Sequence, residues 1–304
     1  MDPVVWTSEP LADALRQRLA SARLQLTARR ATSANEFHDA TRSGVGFVDR
    51  TTLPLLDAAS PGPVISICDE PLPTAIGWIT ARPWLSHVMS ASMLEHPIAD
   101  EHLENVLRTL VSPKPRLLDW LGPSVVGRRV RLTRAASRAA RIDKMSEFFT
   151  SHAVSPRTIA QLRDAAEELL TNAFYNAPVA AGARAQPVSR TEDIELPEAS
   201  ACDLAYGCRD DLAIVRVRDP FGSLTRARLV EVLTRCARSD MQVQVDETMG
   251  GAGLGMWRIF SAASFVAVLM VKHQLTEILV GIAKRSAAAP RPFAFHLFFQ
   301  AARP

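Results

Sequence analysis

Glu168, Asn172 and Asn176 stand four residues apart in a segment whose apolar residues recur with helical spacing. Residues four apart share one face of an α-helix, so these three polar side chains would point in the same direction. Carboxylate and amide oxygens are ligands that Mg²⁺ prefers, and a carboxylate one turn away could orient a nucleophile beside bound phosphates. The alternative is a polar stripe on an ordinary surface helix.

The helix that must position these residues has clear signals at both ends. Ser155 followed by Pro156 is typical of a helix start, and Pro178 ends the pattern. Its apolar side is formed by Leu162, Ala166, Leu169, Leu170 and Ala173. The polar line therefore runs close to a seam that should be buried, which is a pattern typical of binding sites.

Two further motifs follow along the chain. Asp219 ends a strand-like run in which side chains alternate, and it is followed by Pro220, Phe221 and Gly222. By itself this sequence also suits a plain turn. The glycine-rich run GlyGlyAlaGlyLeuGly at 250–255 leads into an apolar helix, where backbone amides could approach phosphate oxygens. Its spacing fits neither a dinucleotide fingerprint nor a P-loop.

Together, the three motifs resemble the ATP site of the GHKL superfamily, which includes gyrase, histidine kinases and anti-sigma-factor kinases. The run GluLeuLeuThrAsnAla at 168–173 resembles the N box of the anti-sigma-factor serine kinases. The resemblance implies that Glu168 is a general base and that Asn172 holds Mg²⁺. It also implies that Asp219 accepts a hydrogen bond from the adenine amino group. Phe221 departs from the family pattern, which has glycine there, and Gly222 comes one residue later.

The same resemblance assigns the remaining ATP-binding positions. Gly251, Gly253, Leu254 and Gly255 correspond to the glycine box, and Thr276 corresponds to a threonine near the adenine. The segment 223–249 corresponds to the ATP lid, in which Arg235 or Arg238 could reach the terminal phosphate. The bulky ring of Phe221 could stack on the base or close the pocket. Asn176 receives no role.

Two functions of different class remain open at this point. The first is a serine or threonine protein kinase that acts on a protein partner of the sigma-factor or anti-anti-sigma type, with ATP and Mg²⁺ as cofactors. The second is a noncatalytic adaptor that keeps the fold for docking. A histidine kinase is disfavoured because no helical hairpin precedes the motifs, and His152 is expected to end a helix.

The amino-terminal part of the chain alternates short strand-like runs with helical patterns. We expect strands at 4–7, 24–27, 45–48, 64–67 and 87–92, and helices that include 11–22 and 98–111. This rhythm predicts a doubly wound α/β domain with a parallel sheet. It resembles a response-regulator receiver domain, in which Asp49 would be the phosphoacceptor. Thr7 and Ser8 replace the acidic pair, so we expect a pseudoreceiver used for docking or homodimerisation.

The expected organisation is a pseudoreceiver with its linker at residues 1–122 and an α/β sandwich of the GHKL type at 123–304. The chain has 35 basic and 32 acidic residues, a balance that predicts neither nucleic acid nor a membrane surface as partner. Its four cysteines form no CxxC pair and are expected to be reduced thiols. No signal peptide or membrane-spanning run is evident, so we expect a cytoplasmic protein.

Overall fold

The computed structural model describes residues 2–56, 62–122, 125–238, 254–285 and 292–300. Two compact units are present: unit 1 comprises Met1–Pro115 and Pro290–His296, and unit 2 comprises Arg116–Ala289 and Leu297–Pro304. Both units combine helices with strands, so the chain has an α/β fold with parallel and antiparallel strand pairing. No described helix is both long enough and apolar enough to cross a membrane.

Unit 1 is built around a parallel sheet with the strand order β2-β1-β3-β4-β5. Every residue of β3 and β4 is buried, which is typical of a parallel sheet covered on both faces. Its elements are β1 (Pro3–Trp6), α1 (Glu9–Leu19), β2 (Arg29–Arg30), α2 (Ala34–Thr41), β3 (Val45–Asp49), β4 (Val64–Cys68), α3 (Leu72–Ala81), β5 (His87–Ser90), α4 (Ala91–Glu95) and α5 (Ala99–Val111).

Two features of unit 1 differ from the expectation. The predicted strand at 24–27 is wrong: Gln25 has a φ of 53°, and the amide of Leu24 donates to the carbonyl of Ser21 in a turn. The short strand β2 takes its place in the sheet. In addition, Ala294–His296 pairs antiparallel with β5, so residues from the far end of the chain complete this sheet.

Asp49 lies at the carboxyl end of β3 as a structural acceptor of hydrogen bonds. Its Oδ2 accepts from the amide of Ser8 (2.7 Å), and its Oδ1 accepts from the amides of Thr51 (2.9 Å) and Thr52 (3.1 Å). Burial by itself would raise the pKa of Asp49, but the hydrogen bonds from Ser8 and Thr51 outweigh it and lower the pKa to about 2. This arrangement supports the pseudoreceiver interpretation, which stays a prediction.

Unit 2 combines an antiparallel sheet with packed helices, and α7 contacts α6, α10, β8 and β10. The strands β9 and β10 form an antiparallel hairpin, and the helix start expected at Ser155 is present, because its side chain accepts from the amide of Thr158. Its elements are β6 (Val126–Leu132), α6 (Arg138–Ser151), α7 (Pro156–Thr171), α8 (Ala177–Ala180), β7 (Cys202–Arg209), β8 (Leu212–Asp219), α9 (Arg226–Arg238), α10 (Leu254–Ala262), β9 (Phe265–Val271), β10 (Leu275–Ala283) and most of β11 (Ala294–Gln300).

The segment after Pro115 was expected to be a linker up to Gly122, but the structure places it in unit 2. The amide of Leu117 donates to Glu277 Oε2 (2.8 Å). The ring of Trp120 packs against the rings of Phe265 and Phe298, with centroids 5.9 and 6.2 Å away. This segment therefore contributes buried contacts to unit 2, whereas its proline and glycine content predicted a linker.

The pairing of β8 with β10 sets the two faces of the unit 2 sheet. Asp219 lies opposite Thr276, and Arg218 lies opposite Glu277. Because side chains alternate along a strand, Asp219 and Thr276 face one side while Glu277 faces the other. On that second side Glu277 forms a buried ion pair with Arg216, whose side chain is 2% exposed.

Three buried histidines lie together in unit 1, on β5, α5 and β11. His87 and His296 are partners in the β5–β11 register, and Nε2 of His102 lies 3.0 Å from Nε2 of His296. Burial lowers the pKa of His87 to about 3. Burial, with repulsion from His102 and His87, also lowers the pKa of His296 well below its usual value.

We therefore expect the free energy of unfolding of unit 1 to decrease as the pH drops below about 6.5. Below that pH the histidines of the unfolded chain bind protons, whereas those of the folded unit stay neutral. Because the pKa values are lowered in the folded unit, the contribution of these neutral histidines to stability is fully present above this pH. It is lost progressively as the pH falls to about 3. Each such histidine should cost about 1.4 kcal/mol per pH unit. Urea unfolding at several pH values measures this slope. His87→Gln should reduce it, and an unchanged slope in that variant would contradict the interpretation.

Candidate functional site

The polar line predicted on α7 is present, and it continues beyond the end of the helix. After Thr171 the chain forms a π-helical turn at Asn172–Asn176 before α8 begins. The side chains are joined in series: Asn176 Nδ2 donates to Asn172 Oδ1 (2.5 Å), and Asn172 Nδ2 donates to Glu168 Oε1 (3.1 Å). Single π-helical turns are frequent at functional sites, because they redirect side chains that a regular helix would not bring together.

Asp219 lies at the end of β8, and only 8% of its surface is exposed. Its Oδ1 accepts hydrogen bonds from the amides of Phe221 (2.9 Å) and Gly222 (3.3 Å). Burial raises the pKa of Asp219 to about 6, and the hydrogen bonds from Phe221 and Gly222 oppose this rise. The hydroxyl of Thr276, the partner of Asp219 in the register, also lowers that pKa.

A cavity of about 320 Å³ is lined by Asn172, Asn176 and Asp219 together. Its polar lining comes from Asn172, Asn176, Asp219, Ser223, Arg228 and Thr276, and most of its wall is apolar, including Leu169, Val217, Leu229, Val232, Met256 and Ile278. An apolar cavity of this size with a few convergent polar groups is the usual form of a small-molecule site. The structure thus brings three of the predicted ATP-site residues, Asn172, Asp219 and Thr276, to one cavity.

Gly222 lies outside the lining of this cavity and supports the turn instead. It has a φ of 57°, and a Cβ there would come within 2.3 Å of the carbonyl oxygen of Val271. The amide of His273 donates to the carbonyl of Gly222 (3.1 Å), so the turn is held against the β9–β10 hairpin. Phe221 is only partly buried and does not line the cavity either.

Of the glycine-rich motif, Gly251 and Gly253 lie outside the described residues. Leu254 begins α10, and the next residue, Gly255, lies directly against Glu168. A Cβ on Gly255 would come within 2.3 Å of Glu168 Cδ. Burial raises the pKa of Glu168, while the hydrogen bond from Asn172 opposes this rise. The first turn of α10 therefore helps to enclose the candidate base.

Arg228 is a charged cavity residue that the sequence did not predict. It lies on α9, where it lines the cavity and pairs with Glu231 (3.1 Å). Arg235, one of the two arginines expected to reach phosphate, is exposed and does not line the cavity, and the side chain of Arg238 lies outside the described residues.

His152 ends α6, as expected, and stacks on Phe148 with the ring centroids 4.1 Å apart. Within the described ranges, no group of three or more His, Cys, Asp or Glu side chains could hold a metal ion. Asn172 could hold Mg²⁺ together with the phosphates of a nucleotide, since this ion usually takes only one or two protein ligands in such sites. The four cysteines are buried free thiols, as expected.

Comparisons with known proteins add only weak similarity. No protein-family model matches the chain, and no curated protein matches it. The SiaB–SiaC complex from Pseudomonas aeruginosa is similar in structure at a TM-score of 0.38 and 14% sequence identity, over 54% of this chain and 94% of that chain. A TM-score this low supports neither a shared fold nor a shared function, so the interpretation of the site depends on its own geometry.

Proposed function

We propose that unit 2 binds ATP with Mg²⁺ in the cavity and transfers its terminal phosphoryl group to a hydroxyl of a protein partner. The observation that carries the proposal is the buried carboxylate of Asp219 in a mostly apolar cavity that is also lined by Asn172. A buried carboxylate is costly unless a donor compensates it, and the amino group of adenine is such a donor. The resemblance of the three motifs to anti-sigma-factor kinases supports the same assignment.

Adenine would lie against the apolar wall and be recognised at its edge. The two amide hydrogen bonds of Asp219 both end on Oδ1, so Oδ2 can accept from the adenine amino group. Thr276, 3% exposed and directly across the register, offers a hydroxyl beside it. Val217 and Ile278 come from the same two strands and would contact the face of the base.

Mg²⁺ would be held through Asn172, whose side-chain oxygen is the hard ligand nearest to the candidate base. In the structure this oxygen accepts a hydrogen bond from Asn176. Because an amide oxygen has two lone pairs, Mg²⁺ would either share this oxygen with Asn176 or displace it, and phosphate oxygens and water would complete the coordination. Arg228, on the opposite wall, provides a cation that could contact phosphate.

Glu168 would accept the proton of the attacking hydroxyl. The hydroxyl oxygen forms a bond to the terminal phosphorus, the bond from that phosphorus to its bridging oxygen breaks, and ADP leaves. The raised pKa of Glu168 makes its carboxylate a stronger base than an exposed glutamate.

A noncatalytic adaptor is the second candidate. It is favoured by one observation, the hydrogen bond from Asn176 that occupies the metal-facing oxygen of Asn172. In that case ATP would bind without turnover, and the protein would act by docking alone.

Asp219→Ala should weaken ATP binding by roughly 1 to 3 kcal/mol, with or without Mg²⁺, because the adenine amino group loses its acceptor. Titration calorimetry with ATP and with inosine triphosphate, which lacks that amino group, separates this effect from general damage. The wild type should prefer ATP, and the variant should bind both nucleotides alike. Asp193→Ala, which removes an exposed carboxylate outside the cavity, is the control. A variant that keeps the preference for ATP would show that Asp219 does not read the base.

Asn172→Ala should weaken binding of Mg-ATP and leave binding of metal-free ATP nearly unchanged, because only the metal ligand is lost. Asn176→Ala is the matched comparison, since it frees the oxygen of Asn172. It should bind Mg-ATP at least as tightly as the wild type does. If both variants lose Mg-ATP affinity equally, the two amides form a structural pair and the metal site is elsewhere.

Glu168→Gln should keep ATP affinity and abolish phosphoryl transfer, because the amide preserves the shape of the carboxylate but cannot accept the proton. Calorimetry measures the first property, and release of ADP measures the second. Unchanged turnover in this variant would exclude Glu168 as the base. If the wild type binds Mg-ATP without releasing ADP in the presence of hydroxyl-bearing partners, the adaptor function replaces the kinase.

A further inference from the structure

A second cleft, of about 430 Å³, lies between α7 and α10. Its polar lining includes Asp164, Glu167 and Glu168 from α7, and Arg258 and Ser261 from α10. Glu168 lines this cleft and does not line the nucleotide cavity, whereas Asn172 lines the cavity and does not line the cleft. The hydrogen bond between Asn172 and Glu168 therefore joins two separate spaces.

The side chain of Glu168 lines the cleft. Oε1 accepts from Asn172, and Oε2 lies toward Gly255, where a Cβ would come within 2.5 Å. Because Gly255 has no side chain, the first turn of α10 can pack directly against the carboxylate. A hydroxyl that enters the cleft could donate to this carboxylate while the nucleotide occupies the other side.

The charges that line the cleft determine which class of ligand it can bind. Three carboxylates face one guanidinium, and Glu167 is only partly compensated by Arg138 (3.4 Å). A phosphate group would be repelled by this lining. A metal ion is disfavoured too, because the described parts of the chain contain no cluster of acidic, His or Cys side chains that could hold one. The complementary ligand is therefore cationic and carries no phosphate.

We propose that the cleft between α7 and α10 receives a cationic segment of the protein partner and presents its serine or threonine hydroxyl to Glu168. This inference rests on the proposed function, in which Glu168 is the base. An arginine or lysine next to the acceptor residue contacts Asp164 at the exposed rim, and Ala165 and Ile259 provide an apolar wall for a neighbouring side chain. The nucleotide and the acceptor thus approach Glu168 from opposite sides.

The test is binding of short fluorescent peptides to the full chain, followed by fluorescence anisotropy. One peptide carries a serine flanked by arginines, and a second carries the same serine flanked by glutamates. The wild type should bind the first and not the second. Asp164→Lys should weaken binding of the arginine peptide by about tenfold, since it replaces an attraction by a repulsion. Glu147→Lys makes the same charge change on exposed α6, outside both spaces, and should have little effect.

ATP titrations of the same proteins keep this inference separate from the proposed function. If the wild type binds ATP but not the arginine peptide, the cleft has another role and the inference is overturned. If Asp164→Lys and Glu147→Lys weaken binding of the arginine peptide equally, the attraction comes from the overall charge of the protein. The inference is then likewise overturned. Peptide binding without ATP binding would overturn the nucleotide site and leave the cleft assignment standing. Asp164→Asn, which removes the charge without reversing it, serves if the lysine variant fails to fold.

Discussion

The register between β8 and β10 is the constraint on which the candidate site depends. It places Asp219 opposite Thr276 on the face that lines the cavity, and it places Glu277 on the other face. There Glu277 pairs with Arg216 and accepts the amide of Leu117. A slip of one residue would exchange the two faces, burying the ion pair in the cavity and moving Asp219 away from it. The buried ion pair therefore helps to define the register as well as to hold the segment that follows Pro115.

The candidate site contains two carboxylates whose ionised forms are disfavoured by burial. The pKa of Asp219 is raised to about 6, and that of Glu168 is raised as well. Such groups lower the stability of a fold and are retained mainly where a ligand or a reaction uses them. Their environments differ: backbone amides support Asp219, and a side-chain amide supports Glu168. The first arrangement is rigid and suits recognition, whereas the second can rearrange when a metal or a proton arrives.

The sequence predicted those parts of the molecule that depend on local periodicity. The spacing of apolar residues located α7, and the four-residue spacing placed Glu168 and Asn172 on one line. The resemblance of the motifs likewise led to Asp219 and Thr276, which meet across two strands. The GHKL assignment itself, like the receiver likeness, stays a prediction.

Features that depend on distant contacts were missed. The π-helical turn has no signature in composition, and the role of Gly222 follows from its approach to Val271. Arg228 could be placed at the cavity only once the orientation of α9 was known. The turn at 24–27 shows the same limit, because four residues that alternate between apolar and polar suit a strand or a turn equally well until their neighbours are known.

The pairing of Ala294–His296 with β5 has a consequence for how the chain acquires its structure during synthesis. Unit 1 is discontinuous, since all of Arg116–Ala289 is made between its two segments. While the ribosome produces that stretch, one side of β5 has no strand to pair with, and an open edge of this kind attracts other chains. Completion of unit 1 must wait for a closing contact across about 200 residues, which slows folding through the entropy of a long loop. The strand that finishes the sheet is thus synthesised only after all of Arg116–Ala289 has been made.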